Sequence, residues 1–258
     1  SSQDVVNALR AFQNEDGGFG NALEPDIRCP DSQPVPVQHA LKILVKVDPK
    51  SDLVSQACDY LMTITTDEGG VPWLLPSALD YPRAPWWQTE EGAPSSLNPT
   101  AAIVGVLHEM DVDHPWLEPA TAYCWAKILE YQARGNGLDD MGCVLSFLYH
   151  VTDRPQAERE LDRLIEQMFA VGLVSDADAE GYVRKPLDWA PTPDHPLRTY
   201  FRDEDVQAHL DFIIANQQAD GGWPINWPPI SPGCELEWRG GVTLNTLRRL
   251  EANGRLDR

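Results

Sequence analysis

One short pattern recurs along this chain and limits what it can fold into. Gln13-Asn14-Glu15-Asp16-Gly17-Gly18-Phe19 near one end is matched by Gln217-Gln218-Ala219-Asp220-Gly221-Gly222-Trp223 near the other. A weaker copy, Asp67-Glu68-Gly69-Gly70-Val71-Pro72-Trp73, lies between them. Paired glycines supply the backbone freedom that a sharp reversal needs. Gly17 and Gly69 are 52 residues apart; Gly69 and Gly221 are 152 apart, close to three such intervals. Degenerate turns at 132–137 and near Gly181 fill the longer gap. A period near 50 residues is the mark of a repeat architecture. The unit is two helices and a turn, and since one hairpin buries a single face, the hairpins have to stack.

The segments between the turns support this. Val5, Val6, Leu9 and Phe12 fall at helical spacing, as do Val37, Ala40, Leu41, Leu44 and Val45, and Leu53, Ala57, Tyr60, Leu61 and Ile64. The pattern predicts helices over about 3–13, 36–47, 52–65, 98–110, 114–132, 138–151, 155–171, 204–217 and 241–252. Residues 74–97 and 172–203 read as long, mostly irregular loops, a length often tied to function. No segment alternates as a strand would. The expected fold class is all-α, a single domain over 1–258 built from about five or six helix hairpins that can curve until they close into an α/α toroid.

Composition excludes some partners. The formal net charge is −20. Nucleic acid needs clustered Lys and Arg, so nucleic-acid binding is not expected, nor is binding to an anionic membrane surface. A strongly acidic surface keeps a protein dispersed. Five cysteines without a Cys-x-x-Cys pair suggest thiols in a reducing, cytoplasmic setting. No apolar run reaches about 18 residues, so no transmembrane segment is expected. The opening residues lack signal-peptide character, although a segment upstream of Ser1 is left open. Nine tryptophans suit either a core or an apolar cavity wall.

The turn sequences resemble the Q-W motif of the terpenoid cyclase and protein prenyltransferase repeat superfamily. The resemblance implies an α/α toroid. It also implies structural roles for Gln13, Asp16, Gln217 and Asp220, with the Gln capping a helix end and the aromatic stacked beside it. If outer and inner helices alternate, the turns share one end of the ring. The residues ahead of each inner helix then surround its mouth: Glu24 and Asp26; Trp86, Trp87 and Asn98; Asp139 and Asp140; Lys185 and Asp188; Glu235, Glu237 and Arg239. Trp227 would add to the wall. Cyclases of that superfamily usually pair two toroids, so a lone one would close its cavity with its own loops, 74–97 and 172–203.

Leu138-Asp139-Asp140 resembles the D-x-D-D motif of class II terpene cyclases, with Gly137 where the first Asp should stand. The resemblance makes Asp139 the catalytic acid, with Asp140 beside it, kept protonated by an apolar site and neighbouring carboxylates. The plainer reading is two first-turn acids favoured by the helix dipole. The prenyltransferase branch uses zinc held by Asp, Cys and His. Asp140 and Cys143 are one helical turn apart, not at that spacing, and no His matches, so no metal is expected. D-D-x-x-D is absent, which argues against magnesium-triggered ionisation of a diphosphate. Glu235 and Glu237 would share a face if their segment were extended, and Arg239 would pair with one of them, bind an anionic group, or tie the last inner helix to the ring.

The expected function is proton-initiated cyclisation or isomerisation of an isoprenoid in a Trp-lined cavity, with a small-molecule substrate and no cofactor. Two alternatives use the same residues: a carbohydrate-active α/α-toroid hydrolase or lyase with paired carboxylates, and a binding protein that has kept the fold without catalysis. Substrate identity and oligomeric state are not legible.

Overall fold

Each Gly-Gly turn closes in the same way in the computed structural model, which describes residues 1–256. Gly17, Gly69 and Gly221 have φ of 84°, 92° and 85°, a region costly for a residue with a Cβ. In each, the N–H three residues ahead of the positive-φ glycine donates to the carbonyl of the glycine after it: Asn14 to Gly18, Thr66 to Gly70 and Gln218 to Gly222, at 2.9, 3.0 and 2.9 Å. Gln13 Nε2 donates to Gly17 O at 3.1 Å and Gln217 Nε2 to Gly221 O at 2.8 Å. Asp16 and Asp220 accept from the N–H of Gly18 and Gly222. The middle copy differs here: Glu68 N donates to Thr66 Oγ1 at 3.3 Å.

Every regular element among the described residues is helical. The α-helices are α1 Ser2–Arg10, α2 Pro34–Val47, α3 Asp52–Thr63, α4 Leu97–Glu109, α5 Leu117–Glu130, α6 Leu138–His150, α7 Arg154–Ala170, α8 Pro186–Trp189, α9 Asp203–Ala215 and α10 Pro232–Ala252. Short 3-10 turns cover Pro76–Asp80 and Pro196–Tyr200. Two isolated β-bridges, Gln13 with Phe19 and Ile27 with Arg83, are the only strand-like pairings described. No described helix is long and apolar enough to cross a membrane. By internal contacts the chain divides into two compact units, residues 1–133 with 139–167, and residues 134–138 with 168 onward.

In the first unit, burial separates two kinds of helix. α2 and α4 are buried over most of their surface, including Val37, Ala40, Leu41, Leu44, Ala101, Ile103, Val104 and Leu107. α1, α3 and α5 bury one stripe: Val6 and Leu9; Leu53, Ala57, Tyr60 and Leu61; Ala120, Tyr123, Cys124 and Ile128. α2 packs on α1, α3 and α4, and α4 packs on α5. Each buried leucine contributes roughly 1.5–3 kcal/mol by leaving water. Gly105 lets α4 approach α6, since a Cβ there would lie 2.5 Å from Ser146 O. The turns dock on the next amphipathic helix in a repeated manner. A Cβ on Gly17 or Gly69 would meet Gln56 O at 2.5 Å or Pro119 O at 3.0 Å. One on Gly18 or Gly70 would meet the ring of Tyr60 or Tyr123 at 2.8 or 2.6 Å. Tyr60 and Tyr123 each follow the touching carbonyl by four residues, one turn further along the same helix face.

In the second unit α8 packs on α9. The expected start of the last helix near Gly241 is corrected: α10 begins at Pro232, where Ser231 caps it by accepting from Cys234 N at 3.2 Å and Pro232 occupies the first turn. Gly240 and Gly241 lie within that helix, with no atom within 4 Å of an added Cβ.

Candidate functional site

Between the first turn and α2 the chain makes a tight loop that carries two buried carboxyl groups. Glu24 and Asp26 are each 3% exposed. Asp26 N donates to Glu24 Oε1 at 3.2 Å, which closes the loop on the glutamate. Glu24 Oε2 faces His39 Nε2 at 3.4 Å. His39 projects from α2, one turn beyond its buried proline-rich start. Burial pushes the Glu24 carboxyl up to about 8, reinforced by the negative charges of Asp26 and Asp139 and opposed by the Asp26 N–H. Burial brings His39 down to about 4, helped by Lys42 and opposed by a hydrogen bond with the Leu23 backbone. At neutral pH the pair is therefore a carboxylic acid beside a neutral imidazole, two groups in uncharged form.

The tryptophan loop is joined to this segment through the backbone. Arg28 N donates to Pro82 O and Ala84 N to Asp26 O, both at 2.9 Å, on either side of the Ile27–Arg83 bridge. Trp87 N then donates to Ala84 O at 3.0 Å, which closes a turn over residues 84–87, anchored to Asp26 through Ala84. Trp87 is buried and stacks at a tilt on Trp73, with ring centroids 4.7 Å apart. Its indole Nε1 is buried without a hydrogen-bond partner, whereas Trp73 Nε1 donates to Gln88 O at 2.9 Å. Trp86 is exposed. Asn98 is half-buried with non-helical angles ahead of Pro99.

Asp139 and Asp140 sit in the first turn of α6, both exposed. That placement suits acids favoured by a helix N-terminus. The Asp139 charge is the weakest of the influences that raise Glu24, after burial and Asp26. The residue with the character expected of Asp139, a carboxyl held protonated by burial and by neighbouring carboxylates, is Glu24. Cys143, one turn beyond Asp139 on α6, accepts from Gln38 of α2 at 3.8 Å. All five cysteines are buried thiols, and burial pushes Cys58 up to about 12. Among the described residues no group of three or more His, Cys, Asp or Glu is placed to hold a metal ion.

The expected site residues of the second unit serve mostly as ties. Lys185 is buried, donating from Nζ to Ala177 O at 2.6 Å with its ammonium 3.6 Å from the Phe212 ring centroid. Asp188 accepts from Lys185 N and from Arg249, and His209 Nδ1 accepts from Leu187 N, which joins α8 to α9. Arg239 is committed to Asp220 at 2.8 Å and Gln218 at 2.7 Å. It ties α10 to the third Gly-Gly turn and pairs with neither nearby glutamate in the bonds described. Glu235 and Glu237 are corrected from an extended segment to a helix. Two residues apart there, they point roughly 200° from each other and share no face, and both are exposed. Trp227 packs edge-to-face with Trp238 at 5.1 Å and Tyr182 at 6.0 Å.

The first unit thus brings Glu24, Asp26, Trp86 and Trp87 into one backbone-linked group, with Asp139 within electrostatic reach. Sequence reasoning missed His39 and Arg83. A histidine following Gln38 in a mostly apolar, buried helix was the available signal for His39; nothing local marked Arg83. Comparison with protein-family models and with curated proteins finds no match to this chain.

Proposed function

We propose that the protein is an α/α toroid related to the terpenoid cyclases and that it cyclises or isomerises an isoprenoid by proton transfer, with Glu24 as the acid. The observation that carries this reading is the buried Glu24 carboxyl, protonated up to about pH 8 and 3.4 Å from a neutral His39. A general acid works best with its pKa near the operating pH. Such a group is better matched to an epoxide oxygen than to a bare alkene, so an epoxidised isoprenoid is the preferred substrate. Glu24 gives its proton to the epoxide oxygen, the C–O bond breaks, and the neighbouring alkene attacks the developing cation. Loss of a proton from carbon to water ends the reaction, and the Glu24 carboxylate is reprotonated from solvent. The reaction is an isomerisation with no net gain or loss of atoms. The indole faces of Trp73 and Trp87 suit a passing cation. Negative charge from Asp26 and Asp139 favours the same intermediate. The buried free thiols support a reducing, cytoplasmic setting for this chemistry.

A hydrolase acting on sugars is the second reading, since Glu24 and Asp26 form a buried pair of carboxyl groups beside tryptophans. Incubation with oxidosqualene, squalene, linear prenyl diphosphates and activated aryl glycosides separates the two. A cyclic product from the epoxide that vanishes in Glu24→Gln supports the proposal; release of the aryl group alone supports the hydrolase; turnover of neither, with ligand-dependent thermal stabilisation, leaves a binding protein.

A further inference from the structure

Arg83 carries no role in the reading above, yet it has the densest set of hydrogen bonds in the tryptophan loop. Its backbone bridges Ile27, inside the segment that holds Asp26. Its side chain donates in two directions. Nη1 reaches Leu79 O at 2.8 Å and Tyr81 O at 3.4 Å; Nε reaches Trp87 O at 2.8 Å and Nη2 the Gln88 side chain at 3.4 Å. Gln88 in turn donates to Pro85 O and accepts through its backbone from Trp73 Nε1. A guanidinium presents five donors in a rigid planar fork, whereas an ammonium offers three from one point. Only the fork spans both sets of oxygens.

We infer that Arg83 is a positioning residue that fixes the Trp73–Trp87 wall against the Glu24–Asp26 segment. The inference depends on the proposed function only for the location of the site. With the guanidinium removed, Trp87 O and Leu79 O lose their donors, the 84–87 turn loosens, and the hydrogen bond from Ala84 N to Asp26 O frays with it. Water then enters beside Glu24 and weakens the burial that keeps it protonated.

Two signals read this without any turnover. The close Trp73–Trp87 pair gives an exciton couplet in circular dichroism, assigned by its loss in Trp73→Phe. The Glu24 side-chain carboxyl carbon gives a titration by NMR. Arg83→Ala is expected to lower the couplet by about half or more and to move the Glu24 titration towards the ordinary carboxyl range. Arg83→Lys recovers part of both, because one ammonium reaches one set of oxygens. Arg10→Ala, which removes an exposed pairing with Asp52, moves neither. A folded Arg83→Ala with wild-type couplet and titration overturns the inference, as does an Arg83→Lys indistinguishable from wild type. If the alanine variant fails to fold, Arg83→Lys and Arg83→Gln are read by the same signals. Failure of the wild type to convert any substrate counts against the proposed function and leaves these outcomes standing.

Discussion

Glu24 Oε2 and His39 Nε2 lie 3.4 Å apart, and the two side chains differ in access: the glutamate is 4% exposed and the histidine 26%. The carboxyl is therefore the more deeply buried of the two. Proton binding at this pair links site chemistry to stability.

The pH dependence follows from opposed shifts. Glu24 rises from 4.5 to about 8 on folding. Its contribution is present below pH 4.5 and is lost as pH rises to about 8, because the unfolded carboxyl has already released its proton. His39 and, in the second unit, His209 fall from 6.5 to about 4. Theirs is lost as pH falls from 6.5 through 4. Above pH 6.5 the histidine contributions are fully present and constant, and among these three groups only that of Glu24 still changes with pH. Chemical denaturation should show wild-type stability declining between pH 6.5 and 8, and Glu24→Gln should flatten that decline. An equal slope in both proteins would refute the buried-acid assignment.

The two candidate acids should separate in kinetics. Glu24→Gln removes the transferable proton and should lower turnover about a hundredfold or more. Asp139→Asn removes only a charge at an exposed helix start, and should leave turnover within about tenfold of wild type while lowering the Glu24 titration. The reverse ranking would restore Asp139 as the acid.

Equivalent glycines should differ in tolerance. Gly70→Ala drives a methyl to 2.6 Å from the Tyr123 ring and should cost about 1–3 kcal/mol, as overpacking does. Gly222→Ala meets side-chain ends alone, those of Arg239, Thr243 and Asp220 at 3.1, 3.2 and 3.4 Å, which can give by a few tenths of an ångström, and should cost less than about 1 kcal/mol. Thermal melts of the two variants decide it.

The stacked tryptophans should also rank. Trp73→Phe leaves the Gln88 carbonyl without its indole donor. Trp87→Phe removes a buried donor that has no partner, and leaving such a group unsatisfied costs about 1–3 kcal/mol. Both lose aromatic area, so Trp87→Phe should be the milder change in urea denaturation.

Helix positions were legible wherever apolar periodicity was long. α2, α3, α6, α7 and α9 begin and end within about two residues of the pattern. α10 was misread because Pro232, Gly233, Gly240 and Gly241 look like breakers. The Ser231-Pro232 start was the better guide, and packing carries the helix through its glycines. Glu24 and Asp26 were legible as site candidates from their place between a turn and a helix. Their relative roles were not. Which carboxyl stays protonated depends on burial, and a sequence does not show that α6 leaves Asp139 in water while the 23–28 loop folds Glu24 inward.

Gly17 and Gly69 each lie beneath a carbonyl of the following amphipathic helix, whereas no atom comes within 4 Å of a Cβ placed on Gly221. The third turn nevertheless closes with the same backbone and side-chain hydrogen bonds as the first. Its shape is therefore written in its own Gln, Asp and Gly-Gly residues and is not moulded by a helix lying against it: the turn is a stencil that the chain cuts locally, wherever those letters recur.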